Sequence, residues 1–414
     1  MAAFLPETDS EDELPGEWEE RVTVDGSVYY ANHANSSTQW THPRTGKKKS
    51  VSANMPFGWE RVIMEGNKVV YVDNINKRTT FTDPRLAFAK EISSGKHDSS
   101  FRQKHDASST AQHVLHGRDL TGHVAVVTGG NSGVGYHTCR ALAMQQCTVV
   151  MACRNVTKAE QAVADIKKER PQAQIDYIEL DLASFNSVRR FVQQFNMRYD
   201  SLNYLILNAG VYNTKYRVTE DGLEEMMQVN YLSHFYLTQL LLKTLLNTKN
   251  PRIVSLSAES HRFSEISSSQ PPSELHFQPS TSNFTPILQY NDSKLFCHLF
   301  SRSCHQRLYS EGICSLSVHP GNLLVTNFHR NSPCNYLLSR LCRPFTKHPS
   351  QAAASVVLAS CSEEDLLSGS DHCYINNCFP TQPSEVATDD TVSGILWDST
   401  ISLLKRKLGN KFSI

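Results

Sequence analysis

The sequence predicts a multidomain chain: two small all-β modules of three strands each, followed by an α/β domain built on a doubly wound parallel sheet. Three observations carry this. The chain has 414 residues, more than one domain of roughly 100–200 residues normally takes. Of its 4 tryptophans, Trp18, Trp40 and Trp59 crowd the first 60 residues, and Trp397 is the fourth. From residue 121 onward, apolar runs of strand length alternate with segments of helical spacing. Composition sets the outer bounds. Lys+Arg and Asp+Glu number 41 each and mean hydropathy is −0.39, which suits a soluble globular chain and builds in no bulk attraction to nucleic acid or membrane.

In chain order, residues 1–13 read as an acidic disordered tail, with no basic, apolar pattern of a secretory signal. Ser10 before Glu11-Asp12-Glu13 has the setting of an acidophilic phosphosite. Two segments then repeat at a period of about 41 residues. The first, within 14–46, runs Leu14-Pro15-Gly16-Glu17-Trp18, Val28-Tyr29-Tyr30-Ala31-Asn32-His33 and Gln39-Trp40-Thr41-His42-Pro43. The second, within 55–87, runs Met55-Pro56-Phe57-Gly58-Trp59, Val70-Tyr71-Val72-Asp73-Asn74 and Phe81-Thr82-Asp83-Pro84. Each reads as three short strands with turns at Asp25-Gly26 or Glu65-Gly66-Asn67 and at Asn35-Ser36 or Asn76-Lys77. Each is below the size that normally builds a core, so the first Trp and last Pro are expected to stack on one face.

This pattern resembles a tandem pair of WW domains, which bind proline-rich peptides in polyproline II form on an aromatic groove. Alternation puts Tyr29, Ala31 and His33 on one sheet face, with Trp40 joining from the third strand. The resemblance implies that Tyr29 and Trp40 sandwich prolines while Ala31 and His33 shape a pocket for a ligand tyrosine, hence Pro-Pro-x-Tyr partners. The second repeat departs from the pattern, with Val70, Phe81 and Asn74 at the groove positions. It is expected to fold with or orient the first module rather than bind peptide strongly. The basic run Lys47-Lys48-Lys49 opens a linker over 47–54; it reads either as a solvated linker or, by resemblance, as a nuclear localisation signal. Residues 88–120, rich in Ser, His and charge, are expected to be a second linker.

The large domain, 121–414, carries candidate strands at Val124–Val127, Val149–Ala152, Ile175–Leu180, Leu202–Leu207, Ile253–Leu256, Ser315–Val318 and Tyr374–Ile375. Helical spacing covers 136–146, 157–170, 184–196, 222–248 and 291–310, and a helix is expected near the C-terminus. The most apolar helical stretch, 235–246, contains Thr238, Gln239, Lys243 and Thr244 and is too short and polar to span a bilayer. The 11 cysteines lie over 139–378 without a Cys-x-x-Cys pair, which reads as buried free thiols in a reducing compartment and no metal site.

The first of these strands runs into Thr128-Gly129-Gly130-Asn131-Ser132-Gly133-Val134-Gly135. A glycine-rich turn between strand and helix lets backbone amides approach a pyrophosphate at the helix N-terminus. Further along come Asp181, Asn208-Ala209-Gly210, Asn230, Tyr290-Asn291-Asp292-Ser293-Lys294 and His319-Pro320-Gly321. In this order and spacing they resemble the short-chain dehydrogenase/reductases, whose fold is Rossmann-type, over 121 to about 380. Tyr290 and Lys294 at i, i+4 share a helix face, and an ammonium beside a phenol is expected to lower the phenol's pKa towards working pH. The resemblance implies that Tyr290 exchanges the alcohol proton, Lys294 holds the nicotinamide ribose and Asn230 anchors a relay water. It further implies that Asp181 contacts adenine, Asn208 the adenosine-side ribose, and Thr326 the carboxamide, with Gly210, Pro320 and Gly321 lining the cofactor.

Two positions refine this. Ala152-Cys153-Arg154-Asn155 offers no acidic residue for a ribose hydroxyl and presents a guanidinium suited to a 2′-phosphate, so NADP is the expected cofactor. In Ser255-Leu256-Ser257-Ala258-Glu259-Ser260, the family's catalytic serine position holds Ala258. Ser257 and Ala258 would border the substrate, and loss of an oxyanion-type donor typically costs about 10²–10³ in kcat. Two functions therefore stand side by side: an NADP-dependent oxidoreductase of a lipophilic, retinoid- or steroid-like alcohol or carbonyl, addressed to partners by its first WW module, and a WW scaffold whose enzyme fold binds nucleotide but turns over slowly or not at all. The resemblance also implies roles in apoptosis, growth suppression and Wnt signalling, with cytoplasmic, nuclear and mitochondrial locations.

Overall fold

The structure, a computed structural model, describes residues 14–23, 26–44, 48–51, 55–56, 58–64, 68–92, 105–321, 347–361 and 374–409. Ser10, Lys47 and Thr326 lie outside them. The chain divides into two compact units, Met1–Ser108 and Ser109–Ile414.

The first unit holds two antiparallel three-stranded sheets: β1 (Trp18–Val22), β2 (Val28–Asn32) and β3 (Ser37–Gln39), then β5 (Trp59–Met64), β6 (Lys68–Asp73) and β7 (Arg78–Thr80). In the first, Tyr30 is fully buried and meets the His42 ring edge-on at 5.3 Å. In the second, the buried Tyr71 hydroxyl donates to Asp83 at 2.7 Å, and Asp83 pairs with Arg85 at 2.8 Å, both side chains only 4% exposed. Arg85 then donates through Nη2 to the Thr23 carbonyl at 3.1 Å, tying the second module to the first.

The described parts of the expected linkers include paired strands. β4 (Lys48–Ser50) pairs antiparallel with β8 (Lys90–Ile92), Ser27 bridges to Ser50, and Lys49 reaches Glu20 at 3.3 Å. These short segments lack a periodic signature and pair only because the module between them brings their ends together. The 88–120 linker also ends early: α1 (Ala111–Leu115) belongs to the second unit, so that unit starts at Ser109 rather than 121.

The second unit is built on eight strands: β9 (Val124–Thr128), β10 (Thr148–Cys153), β11 (Ile175–Glu179), β12 (Tyr204–Leu207), β13 (Arg252–Leu256), β14 (Cys314–His319), β15 (Tyr374–Asn376) and β16 (Phe379–Pro380), in the order β11-β10-β9-β12-β13-β14-β15-β16. All pairings are parallel except β15–β16. The chain's winding reverses between β9 and β12, which opens a crevice there. The strands are apolar throughout because both faces are covered. One face packs under α1, α2 (Gly133–Met144), α3 (Val156–Glu169) and, further along the chain, Pro349–Cys361. The other packs under α4 (Phe185–Asn196) and the run α5 (Glu225–Met227), a π-helical turn Gln228–Leu232, and α6 (Ser233–Leu246). Beside these lie α7 (Glu274–Phe277), α8 (Pro286–Leu308) and a terminal helix, Asp390–Leu408. We label Pro349–Cys361 α9 and Asp390–Leu408 α10. Among the described residues no helix is long and apolar enough to cross a membrane. Cys139, Cys147, Cys153, Cys297 and Cys361 are buried free thiols; Cys304 and Cys378 are also buried, and Cys314 is half-buried.

Candidate active site and peptide groove

The turn from β9 into α2 sits at the switch point. Gly129 has φ +66°, and a β-carbon there would meet the Ala209 backbone at 3.2 Å. Gly135 is tighter still: a β-carbon would stand 2.4 Å from the Gly129 carbonyl oxygen and 2.6 Å from Asn208 Nδ2. Only hydrogen fits, so α2 can start hard against the turn. Ser132 caps α2 without a side-chain bond, and the helix therefore presents its first amides, with Gly133 and the buried Val134, towards the turn. This cradle fits a pyrophosphate. Gly130 packs over Cys139, whose Sγ would be 2.8 Å from a β-carbon. Asn131 Nδ2 donates to the Asn155 carbonyl at 3.4 Å, tying the turn to the residue after Arg154. Arg154 itself is exposed at the end of β10.

Around the cradle, Asn208 donates through Nδ2 to the Thr128 carbonyl at 2.8 Å, holding β9 and β12 together at the reversal. Asp181, after β11, accepts from the Ala183 amide at 3.0 Å and donates its own amide to Ser187 Oγ at 3.0 Å. Pro320 and Gly321 end β14; Gly321 has φ +104°, and its missing β-carbon leaves room for the Lys347 side chain, 2.6 Å from where that atom would be.

Tyr290, Lys294 and Asn230, which the motifs single out, lie close together. Tyr290 and Lys294 lie on α8, Asn230 on the π-helical turn. Asn230 Oδ1 accepts from the Val211 amide at 2.8 Å, and its Nδ2 donates to Ser293 Oγ at 3.0 Å; Ser293 in turn donates to the Tyr290 carbonyl at 2.8 Å. A β-carbon on Gly210 would lie 3.4 Å from Asn230 Oδ1 and 3.5 Å from Lys294 Nζ, so these groups meet at one place. Lys294 donates to the Leu256 carbonyl at 3.0 Å and stands 5.7 Å from the centre of the Tyr290 ring.

The electrostatics correct one expectation. Burial pushes the Tyr290 phenol above its ordinary value, and burial pushes Lys294 below its own. The ammonium lies over the ring face and bonds to a backbone carbonyl, so it does not offset the desolvation of the phenol in this state. The loop beyond β13 brings a second correction. Ser257 is buried and donates to the Lys294 carbonyl at 2.8 Å, which fixes α8 but withdraws that hydroxyl from a substrate. Ala258 is extended and caps the short 3₁₀ helix Glu259–Phe263. Ser260 Oγ is buried with no hydrogen-bond partner among the described residues. Tyr212, whose ring meets Tyr290 edge-on at 5.6 Å, was missed by sequence reasoning; its place just after Asn208-Ala209-Gly210 was the available signal.

In the first unit, Tyr29 and Trp40 meet at 5.9 Å with ring planes 63° apart, and Trp40 is 55% exposed. Ala31 is buried between the strands. His33 Nε2 lies 2.8 Å from Glu19 Oε2, which also accepts from Arg21 Nε at 3.0 Å. Those bonds, Arg21 first, hold the Glu19 carboxyl below its usual range. Glu19 and Arg21 pair across from Ala31 and Tyr29, so strand alternation on β1 could have placed them on the groove face. In the second module Val70 is buried, Phe81 is 75% exposed and Asn74 Nδ2 reaches Glu60 at 3.4 Å: no aromatic pair forms a clamp at those positions.

A phosphate cradle and a Tyr–Lys pair on one side of a switch point make the second unit a dehydrogenase of the short-chain class, carried behind paired WW modules. Comparison with known proteins agrees: the short chain dehydrogenase family matches residues 123–269 and the WW domain family residues 14–43. The chain is 44% identical to WW domain-containing oxidoreductase of Gallus gallus over 99% of this chain and 98% of that one, and 44% identical to the Homo sapiens protein of the same name over 99% and 98%. It is 34% identical to retinol dehydrogenase 12 of Mus musculus over 69% of this chain and 87% of the relative. A crystal structure of an uncharacterized protein from Mycobacterium paratuberculosis matches with TM-score 0.56 and 27% identity, over 70% of this chain and 97% of that one. The chain belongs to the WW domain-containing oxidoreductase family.

Proposed function

We propose that the second unit is an NADPH-dependent reductase or dehydrogenase of a lipophilic alcohol or carbonyl, and that the first WW module delivers it to proteins bearing Pro-Pro-x-Tyr motifs. Arg154 carries the cofactor reading. It is exposed at the end of β10 and linked through Asn155 to the glycine turn, which supports this reading because a planar guanidinium suits a 2′-phosphate. The similarity to retinol dehydrogenase 12 supports a lipophilic substrate. When bound, the nicotinamide supplies or accepts the hydride. Tyr290 exchanges the alcohol proton, Lys294 holds the ribose and biases the phenol once the crevice is filled, and Asn230 with Ser293 keeps the Tyr290 turn of α8 in place. In the first module, Tyr29 and Trp40 grip proline rings while His33, held by Glu19, borders the tyrosine pocket.

The deciding measurement is nucleotide affinity. The Arg154→Asp variant should lose NADPH affinity by at least tenfold while NADH affinity stays level or rises. Unchanged NADPH affinity removes Arg154 from the site.

Ala258 and the committed Ser257 favour a second reading, a WW adaptor whose enzyme is slow. An Ala258→Ser variant that turns over retinal-type carbonyls about 10²-fold faster than the parent supports it; parental turnover lost only in Tyr290→Phe supports the first reading.

A further inference from the structure

His234 sits in the first turn of α6, directly beneath the crevice, and belongs to none of the motifs that identify the enzyme. It is buried and bonds to two segments, the Asn230 turn and the end of β9, and through Thr128 to a third, Asn208-Ala209. Its Nδ1 lies 3.0 Å from the Asn230 backbone carbonyl, which can only accept. The proton is therefore on Nδ1, and Nε2 is left as an acceptor. Thr128 Oγ1, 3.0 Å from Nε2, donates to it in preference to the Ile206 carbonyl, which is 3.5 Å away. The same oxygen accepts from the Asn208 amide at 2.8 Å and the Ala209 amide at 2.9 Å, so the hydroxyl is fully used. Thr128 ends β9, and Asn208-Ala209 follow β12, so these three bonds close the switch point from below.

The other end of the link is equally saturated. The Asn230 carbonyl accepts from His234 and also from Cys297 Sγ at 3.2 Å. It lies in a π-helical turn, marked by the Ser233 amide reaching back to the Gln228 carbonyl, where the ordinary backbone ladder is interrupted. A side chain thus supplies a donor at an irregular turn. Burial pushes the His234 pKa down to about 4, with Lys294 adding to the effect, so the neutral ring persists at working pH.

The geometry points to His234 as a positioning residue: through its Nδ1–H tautomer it locks the Asn230 turn to the Thr128–Asn208 floor of the nucleotide crevice, and so sets the crevice's affinity for the cofactor. This rests on the reading of the crevice as an NADPH site. The test is NADPH titration by fluorescence on the full chain, with melting temperature as a folding control. His234→Phe removes both bonds and should raise the Kd about tenfold, the loss of roughly one buried hydrogen bond. His234→Gln reaches Thr128 with an acceptor and should restore the Kd to within about twofold of the parent, whereas His234→Asn reaches only Asn230 and should resemble Phe. Thr128→Val also leaves the Asn208 and Ala209 amides without their acceptor, so it should raise the Kd at least as far as His234→Phe, and the double variant should be no weaker than Thr128→Val alone, since the His234 bond is already cut there. Gln as weak as Phe, three variants all at the parental Kd, or single effects that multiply in the double variant each overturn the role. If the His234 variants melt before titration, Thr128→Val alone decides: a parental Kd there overturns the link. A parent that binds no NADPH overturns the reading of the crevice instead.

Discussion

At the scale of single residues, the chemistry is written in types and spacings, while the environment is not. Tyr290, Lys294 and the glycines at 129, 133 and 135 are visible in the chain because hydride and phosphate chemistry demand those residues in that order. That Ser257 spends its hydroxyl on the Lys294 carbonyl, or that burial outweighs the ammonium at Tyr290, depends on neighbours distant in sequence. Gly135 is the most stringent position. Gly135→Ala places a methyl group 2.4 Å from the Gly129 carbonyl oxygen, which neither the turn nor the helix can yield without opening the cradle. We expect at least 1–3 kcal/mol of lost stability from overpacking, and loss of measurable nucleotide binding in equilibrium dialysis even where the variant stays folded.

At the scale of elements, the long strands of the parallel sheet are legible from their apolar runs, each observed within two residues of its expected start. Short or interrupted elements are not. The π-helical turn lies inside what reads as one long helix, α9 is buried from Gln351 to Cys361 and lacks an amphipathic period, and β4 and β8 have three residues each. The β4–β8 pair and the Arg85–Thr23 bond bear on the second WW module, which keeps its folding residues while lacking the aromatic clamp. Its buried Asp83–Arg85 pair faces the first module through a guanidinium bond to backbone. Removing one partner of a buried pair costs about 3–5 kcal/mol, comparable with everything a small sheet can muster. Arg85→Met in the full chain should therefore unfold the second module and weaken Pro-Pro-x-Tyr peptide binding by the first at least several-fold, read by peptide titration. Unaltered affinity would separate the two modules energetically.

At the scale of the whole molecule, the division into an aromatic N-terminal unit and a larger α/β unit follows from tryptophan placement and periodicity, but the position of the boundary depends on α1 packing against α9, which no local pattern announces. The larger unit also carries a global acid sensitivity. His234 and His137 are held down to about 4 by burial, and His298 is held well below its ordinary value. An unfolded chain takes up protons at these histidines near pH 6.5, whereas the folded chain does not, so stability is full above about 6.5 and declines as pH falls towards 4. His234 alone contributes about 3 kcal/mol over that window. Glu224 and Asp292, raised above their ordinary values by burial, tilt the opposite way and offset part of the decline. Melting temperature should drop between pH 7 and pH 5, and His234→Gln should flatten that drop; a flat parental profile would contradict the burial of these rings. The sulfur atoms give the same unit a clock. Seven of the described thiols are sealed in the core, and burial raises the pKa of Cys139, Cys147, Cys153, Cys297 and Cys361, so neither access nor thiolate is available in the closed state. Site-resolved alkylation then times how often each layer of the sheet breathes open, with half-buried Cys314 as the fast reference and Cys139, under the glycine turn, reporting when the crevice itself comes apart.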